Sequence, residues 1–159
     1  MNFHIRRMTV EDVPAVTQLD RISFTLPWTE RSFHFEVTSN PASRCWVAES
    51  GGVLAGVVVA WLLVDEVHIA TIATHPDFRR QGIAQALLAH VLKLGAEEGA
   101  ISSFLEVRES NSAAQALYRK FGYEETGRRP RYYKDNGESA ILMTLENLQD
   151  RVDTETGNR

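Results

Sequence analysis

The amino-acid sequence predicts an α/β fold, a mixed and mostly antiparallel sheet with helices on both faces. Two β-rich runs meet at Gly51-Gly52, a dipeptide that permits positive φ and so makes a hairpin. Further along, strands alternate with amphipathic helical segments, and two more strands follow to the end of the patterned sequence. Flanking hairpins around an alternating middle call for a mixed sheet covered by helices.

Each element follows from local chemistry. "NFHIRRM" reads as a first strand. In "TVEDVPAVTQLDRISF" Thr9 is placed to cap a helix, with acids in the first turn, Pro14 early, and Val10, Val13, Val16 and Leu19 at helical spacing. Thr29 caps a second short helix, "ERSFHFEV", which ends before the turn-forming "SNP". "RCWVAES" and "VLAGVVVAWLLV" are the two arms of the hairpin, and "EVHIATIATHP" is a strand that stops at Pro76. "GIAQALLAHVLKLGAEEGA" is a long helix with Ala84, Leu87, Leu88, Val91 and Leu92 on one face, closed by Gly99. "ISSFLEV" is the next strand. Asn111 caps the helix "SAAQALYRKF", whose Ala114, Leu117, Tyr118 and Phe121 share a face before Gly122 ends it. Strands near "YEETGRRPRYY" and "SAILMTLE" complete a single domain over residues 1–148, and residues 149–159 read as a polar, flexible tail.

Bulk properties exclude several classes. With 159 residues, 43% hydrophobic and 24% charged, the chain can bury a core without disulfides or a partner. A net charge of -4 argues against a general phosphate-backbone binder, so no direct nucleic-acid binding is expected despite the clusters at Arg79-Arg80 and in "RRPR". The lone Cys45 cannot form an internal disulfide and has nothing nearby in sequence to activate it, so it reads as core. No N-terminal signal pattern is visible, and the apolar run Val53–Val64 is far short of the roughly 20 residues a membrane helix needs, so a cytoplasmic protein is expected. His4, His34, His75 and His90 show no ligand spacing, and no metal is expected.

Two stretches carry candidate chemistry. "RRQGIAQALL" puts Gly82 at the start of a helix behind Arg79 and Arg80, where unpaired backbone N–H groups and the helix dipole favour an anion such as a diphosphate. It matches neither a P-loop nor the dinucleotide fingerprint, and taken alone it is also an ordinary helix start. "FLEVRESN" places Glu106 on a strand that otherwise looks buried. Glu106 pairs with Arg108 on the same strand face, simply faces solvent, or does chemistry.

The order "ATIATHPDFRRQGIAQALL", "FLEVRESNSAAQALYRKFGY", "YYKDNGESAILMTL" resembles the GCN5-related N-acetyltransferase (GNAT) superfamily, and within it the RimI family, which acetylates protein N-termini. That resemblance covers about Phe3 to Leu148, including "PWTERSF". The family's pyrophosphate motif, Gln or Arg at the first position, then Gly at the fourth and Gly or Ala at the sixth, falls on Arg79, Arg80, Gln81, Gly82, Ile83 and Ala84.

The resemblance implies acetyl-CoA as co-substrate and, as acceptor, the N-terminal alanine of a small-subunit ribosomal protein. It implies backbone contacts to the donor from Ile72, Ala73 and Thr74, a further contact from Asn111, Glu106 as general base, and Tyr118 as the acid that protonates the departing sulfur. Trp28, Tyr132 and Tyr133 lie where the superfamily receives its acceptor. His68 with Glu66 is a reserve catalytic pair. Tyr118 equally fits an ordinary core aromatic, and Asn111 a plain helix cap. One departure is visible: the frequent "EDA" before the last strand reads Glu138-Ser139-Ala140, which bears on acceptor preference. The alternatives are an acetyltransferase for a small amine or a lysine side chain, and a non-catalytic acyl-CoA sensor.

Overall fold

A computed structural model of the chain describes residues 2–151. The main elements among them are β1 (His4–Arg7), α1 (Val13–Ser23), α2 (Glu30–Thr38), β2 (Ser43–Ser50), β3 (Val53–Leu63), β4 (Glu66–Thr74), α3 (Ile83–Glu97), β5 (Ser102–Arg108), α4 (Ser112–Phe121), β6 (Glu124–Arg129) and β7 (Ala140–Leu145). The strand order is β1-β2-β3-β4-β5-β7-β6. Pairing is antiparallel for β1 with β2, β2 with β3, β5 with β7 and β6 with β7, and parallel for β4 with β5. The mixed, mostly antiparallel sheet expected from the sequence is the one observed.

The described residues form two compact units, one of residues 2–61 and 70–91, the other of residues 62–69 and 92–151. In the first unit Val47, Val57 and Val59 of the β2–β3 hairpin share a core with Val13, Val16 and Leu19 of α1 and Phe33 of α2. Residues alternate along β3, so Gly56 faces the other way, where a Cβ would stand only 2.7 Å from Ile83 Cγ2, 3.1 Å from Leu87 Cδ1 and 3.2 Å from the Ala73 carbonyl. The missing side chain is what lets α3 seat its first turns directly on the sheet.

Two boundaries differ from expectation. Thr9 caps a single 3-10 turn, Val10–Asp12, and the α-helix starts after it at Val13, because the Asp12 carboxylate is drawn back to the Thr9 N–H (2.8 Å) and to both guanidinium nitrogens of Arg6 (2.8 Å each). Val10 is consequently exposed while Val13, Val16 and Leu19 are buried. The strand expected to run through "RRPRYY" ends at Arg129, since Pro130 has no N–H to continue the ladder.

In the second unit Ser103, Leu105 and Val107 of β5 point into the core with Ile141, Met143 and Leu145 of β7, and Phe104, Glu106 and Arg108 point to the opposite, half-open face. The buried stripe of α4 is centred on Gln115 and Tyr118, with Ala114, Leu117 and Phe121 only half-buried beside it. Gly122, at φ +108, ends that helix as expected. Residues 148–151 are helical: Leu148 is fully buried, and the Gln149 amide donates to the Ala96 and Ala100 carbonyls at 2.8 Å each. Of the polar tail, residues 152–159 lie outside the described residues. No helix among the described residues is long and apolar enough to cross a membrane.

Candidate active site

In the first unit the candidate phosphate-binding turn sits between the C-terminal end of β4 and α3. A 3-10 turn, Pro76–Phe78, leads to it, fixed by the His75 ring nitrogen accepting from the Asp77 N–H at 3.1 Å. Arg79 and Arg80 are exposed, and the chain then turns sharply, with φ of +65° at Arg80 and +77° at Gly82. A left-handed arginine is uncommon and is tolerated where a tight turn demands it. The first intrahelical bond runs from Ala86 N–H to the Gly82 carbonyl at 2.9 Å, so the N–H groups of Ile83 and Ala84 have no partner within the helix. Gln81 and Gly82 are exposed, Ile83 is buried beneath them against Gly56, and Ala84 is half-buried. Small residues, two cations and a helix N-terminus thus gather in one turn.

Leading into it, Ala73 belongs to the core, whereas Ile72 and Thr74 are half-buried. Thr74 Oγ1 is shielded from solvent and has no hydrogen-bond partner, an orphan that a ligand amide would satisfy. Trp28 stacks near-parallel on Trp61 at 6.3 Å and lies 5.1 Å from Phe33, and so packs against the core of α1 and α2. Its backbone N–H donates to Asp20 Oδ2 at 2.7 Å. Asp20 is buried at the end of α1, and that burial pushes its carboxyl up despite the hydrogen bonds it accepts. Neither Asp20 nor Gly56 is singled out by sequence reasoning: one reads as an ordinary first-helix acid and the other as one glycine in an apolar strand.

In the second unit Glu106 stands on the half-open face with its side chain 22% exposed. The pairing with Arg108 weighed from sequence does not occur. Arg108 turns to the β6–β7 connection, donating to both oxygens of Asp135 at 3.1 and 2.9 Å and to Glu138 at 3.1 Å, with the Tyr133 ring 3.9 Å from its guanidinium carbon. Glu138 also accepts from the Ser110 N–H at 2.9 Å, and its hydrogen bonds to Asn136 and Ser110 hold its carboxyl down at about 2. Glu106 instead faces Arg129, whose Nε lies 3.2 Å from Oε2. That oxygen is shut off from solvent and makes no hydrogen bond.

Tyr118 is buried and meets Tyr123 edge-to-face at 5.8 Å. Burial, with Tyr133 as a lesser contributor, pushes its hydroxyl up to about 12. Burial also raises Tyr133, where Arg108 pulls down and Glu106 pushes up. His68 is edge-on to Phe104 at 5.1 Å. Burial lowers its pKa against the opposing pull of Glu106 and Glu66. Glu106 is thus within electrostatic reach of both His68 and Tyr133, and Tyr133 of Tyr118. Tyr132 is exposed, edge-on to Tyr133 at 5.1 Å. Asn111 is exposed and its Oδ1 accepts from the Ala114 N–H at 3.1 Å, so it does cap α4. Among the described residues no group of three or more His, Cys, Asp or Glu side chains is placed to hold a metal ion.

β4 thus ends in a glycine-started turn, and β5, its parallel neighbour, carries a half-buried carboxylate. The model of the "Acetyltransferase (GNAT) family" matches residues 13–123, and the chain belongs to that family. It is 41% identical over 139 residues, 87% of this chain and 92% of the relative, to a putative [ribosomal protein bS18]-alanine N-acetyltransferase of Bacillus subtilis. It is 34% identical over 145 residues, 89% and 95% of the two chains, to the [ribosomal protein bS18]-alanine N-acetyltransferase of Escherichia coli. The crystal structure of the ribosomal-protein-S18-alanine N-acetyltransferase from Escherichia coli superimposes with a TM-score of 0.84 at 31% identity, covering 91% of this chain and 94% of that one. The resemblance to GNAT enzymes of the RimI type is thereby borne out.

Proposed function

We propose that this chain is an acetyl-CoA-dependent N-α-acetyltransferase whose acceptor is a protein N-terminus, the N-terminal alanine of ribosomal protein bS18. The observation that carries this is the 41% and 34% identity, over nearly the full length, to relatives named for that reaction. The residues suit the donor: the Arg79–Ala84 turn offers charge and backbone N–H groups for a pyrophosphate, and Thr74 and its neighbours on β4 offer polar groups for the amides of the pantetheine arm. The donor supplies an acetyl group as a thioester.

The chain's own residues do the proton work. An α-amine has a pKa of about 8 and is mostly protonated at neutral pH, so it cannot attack until a base takes its proton. Glu106 fills that role, directly or through a water, because one of its oxygens is buried without a hydrogen bond and the side chain still reaches the half-open face. Tyr118 keeps its proton throughout the neutral range and can deliver it to the departing sulfur. Tyr132 and Tyr133, on a connection braced by Arg108, contact the acceptor.

The test is mass spectrometry of short peptides that differ only in their first residue, incubated with the protein and acetyl-CoA. One acetyl group on the α-amine of the alanine-start peptide is expected, with Glu106→Gln slowing turnover by about 10²- to 10⁴-fold while acetyl-CoA still binds. Transfer to lysine side chains or small amines alone would replace the acceptor. Acetyl-CoA binding without transfer to any amine would make the protein a sensor.

A further inference from the structure

We infer that Arg129 is a displaceable counter-cation for Glu106: its guanidinium occupies the position on the carboxylate that the acceptor's α-ammonium takes, so acceptor recognition exchanges one cation for another. The inference rests on the N-acetyltransferase reading of Glu106 and adds a specificity-determining residue to it.

The geometry begins with a β-bulge. In β6 the register against β7 shifts between Glu125 and Gly127, which leaves Thr126 as the extra residue. Beyond it Gly127 pairs with Leu142 and Arg129 with Ala140, the same β7 residues that pair with Glu106 and Arg108 on the other side. The bulge therefore puts Arg129, and not Arg128, on the face of Glu106. Arg128 points away and pairs with Glu109 at 2.7 Å and Glu125 at 2.8 Å.

The two arginines nearest Glu106 in register are built differently. Arg108 is 22% exposed and held by two carboxylates and a tyrosine ring, so it is fixed. Arg129 is 56% exposed, and its only ion contact among the described residues is Nε to Glu106 Oε2 at 3.2 Å, without a hydrogen bond. A contact held by charge alone on a mobile-length, half-exposed side chain is weak. The Tyr132 ring already flanks the Arg129 guanidinium carbon at 5.8 Å, a cation–π surface on which the group can settle when it leaves Glu106.

The exchange has chemical sense in both directions. While no acceptor is bound, Arg129 compensates the charge of Glu106, whose buried oxygen would otherwise be uncompensated. A charged amino terminus competes for that oxygen and releases the guanidinium toward Tyr132. Once the amine has become an amide it carries no charge and cannot compete, so Arg129 returns and the product is displaced. A neutral or already acetylated N-terminus gains nothing from the exchange.

Fluorescence anisotropy tests this with a labelled alanine-start peptide and its N-acetylated form, on wild type, Arg129→Gln, Glu106→Gln and the double variant, each checked for folding by circular dichroism. Arg129→Gln is expected to tighten the free-amine peptide by about two- to fivefold, the strength of a half-exposed pair, and to leave the N-acetyl peptide unchanged. In the Glu106→Gln background the Arg129 substitution should have no effect. Unchanged or weaker binding of the free-amine peptide by Arg129→Gln overturns the inference. So does equal tightening with Glu106 removed, which would mark Arg129 as a mere source of repulsion. Wild type that neither binds nor acetylates an α-amine peptide would instead sink the N-acetyltransferase reading, and this inference with it.

Discussion

Tyr118 poses the sharpest question at the scale of single residues, because the sequence offers one side chain two roles, core aromatic and proton donor. It packs edge-on to Tyr123 in the core of its unit, and its hydroxyl is held protonated by burial. Phenylalanine keeps the ring packing and deletes only the proton. Tyr118→Phe should therefore fold like the wild type yet lose about 10²-fold in turnover, the low end for a general acid since a thiolate is already a fair leaving group. Steady-state kinetics with an alanine-start peptide check this, and full turnover would leave Tyr118 a core aromatic only. Glu106 and Tyr118 stood out in the sequence, through the motif order, as the proposed base and acid. The partners of Glu106 were not, because a strand's own alternation says which face a side chain takes but not what a second-neighbour strand delivers there. The bulge at Glu125/Gly127 decides that Arg129 arrives, and nothing in "EETGRR" signals where the extra residue sits.

Between residue and element stands Gly56, which the apolar run of β3 conceals. The hairpin at Gly51-Gly52, the Asn111 cap and the Gly122 stop were readable because each is local chemistry, a matter of φ or of one side chain reaching its own backbone. The close seating of α3 on β3 is not local, since it depends on which residue of a distant strand lies beneath Ile83. Gly56→Ala should be costly for that reason. The added Cβ would meet Ile83 Cγ2 at 2.7 Å, a branch atom with little rotamer freedom, and the Ala73 carbonyl at 3.2 Å, a backbone atom that cannot rotate away. Overpacking of this kind costs about 1–3 kcal/mol. Urea unfolding should show that loss, and calorimetry should show weaker acetyl-CoA binding, because the displaced first turn of α3 carries the N–H groups proposed to hold the donor's pyrophosphate. An unchanged urea midpoint would mean that the helix slides without penalty and that Gly56 has no seating role.

For the molecule as a whole, the superfamily was legible from three motifs in order, and the placement of nearly every element from periodicity and caps, whereas the long-range polar connections needed the fold. One such connection sets how stability responds to alkali. Tyr123 is buried with its hydroxyl bonded to Ser103 Oγ at 2.7 Å, and Ser103 Oγ donates in turn to the Val67 carbonyl at 2.7 Å. Burial raises both Tyr123 and its neighbour Tyr118, the latter from 10.0 to about 12. In the unfolded chain both titrate near 10, so above that pH the unfolded state has lost protons that the folded state still holds. The stabilisation is complete below pH 10 and is lost as the pH climbs through the raised folded values, by about 1–3 kcal/mol for Tyr118 alone. Urea midpoints measured between pH 8 and pH 11 should fall with pH for the wild type and fall less for Tyr118→Phe, which has no proton to lose at that position. Parallel pH dependence in the two proteins would show that the Tyr118 hydroxyl titrates alike in folded and unfolded chains, and would remove the physical basis for its standing as a protected proton donor.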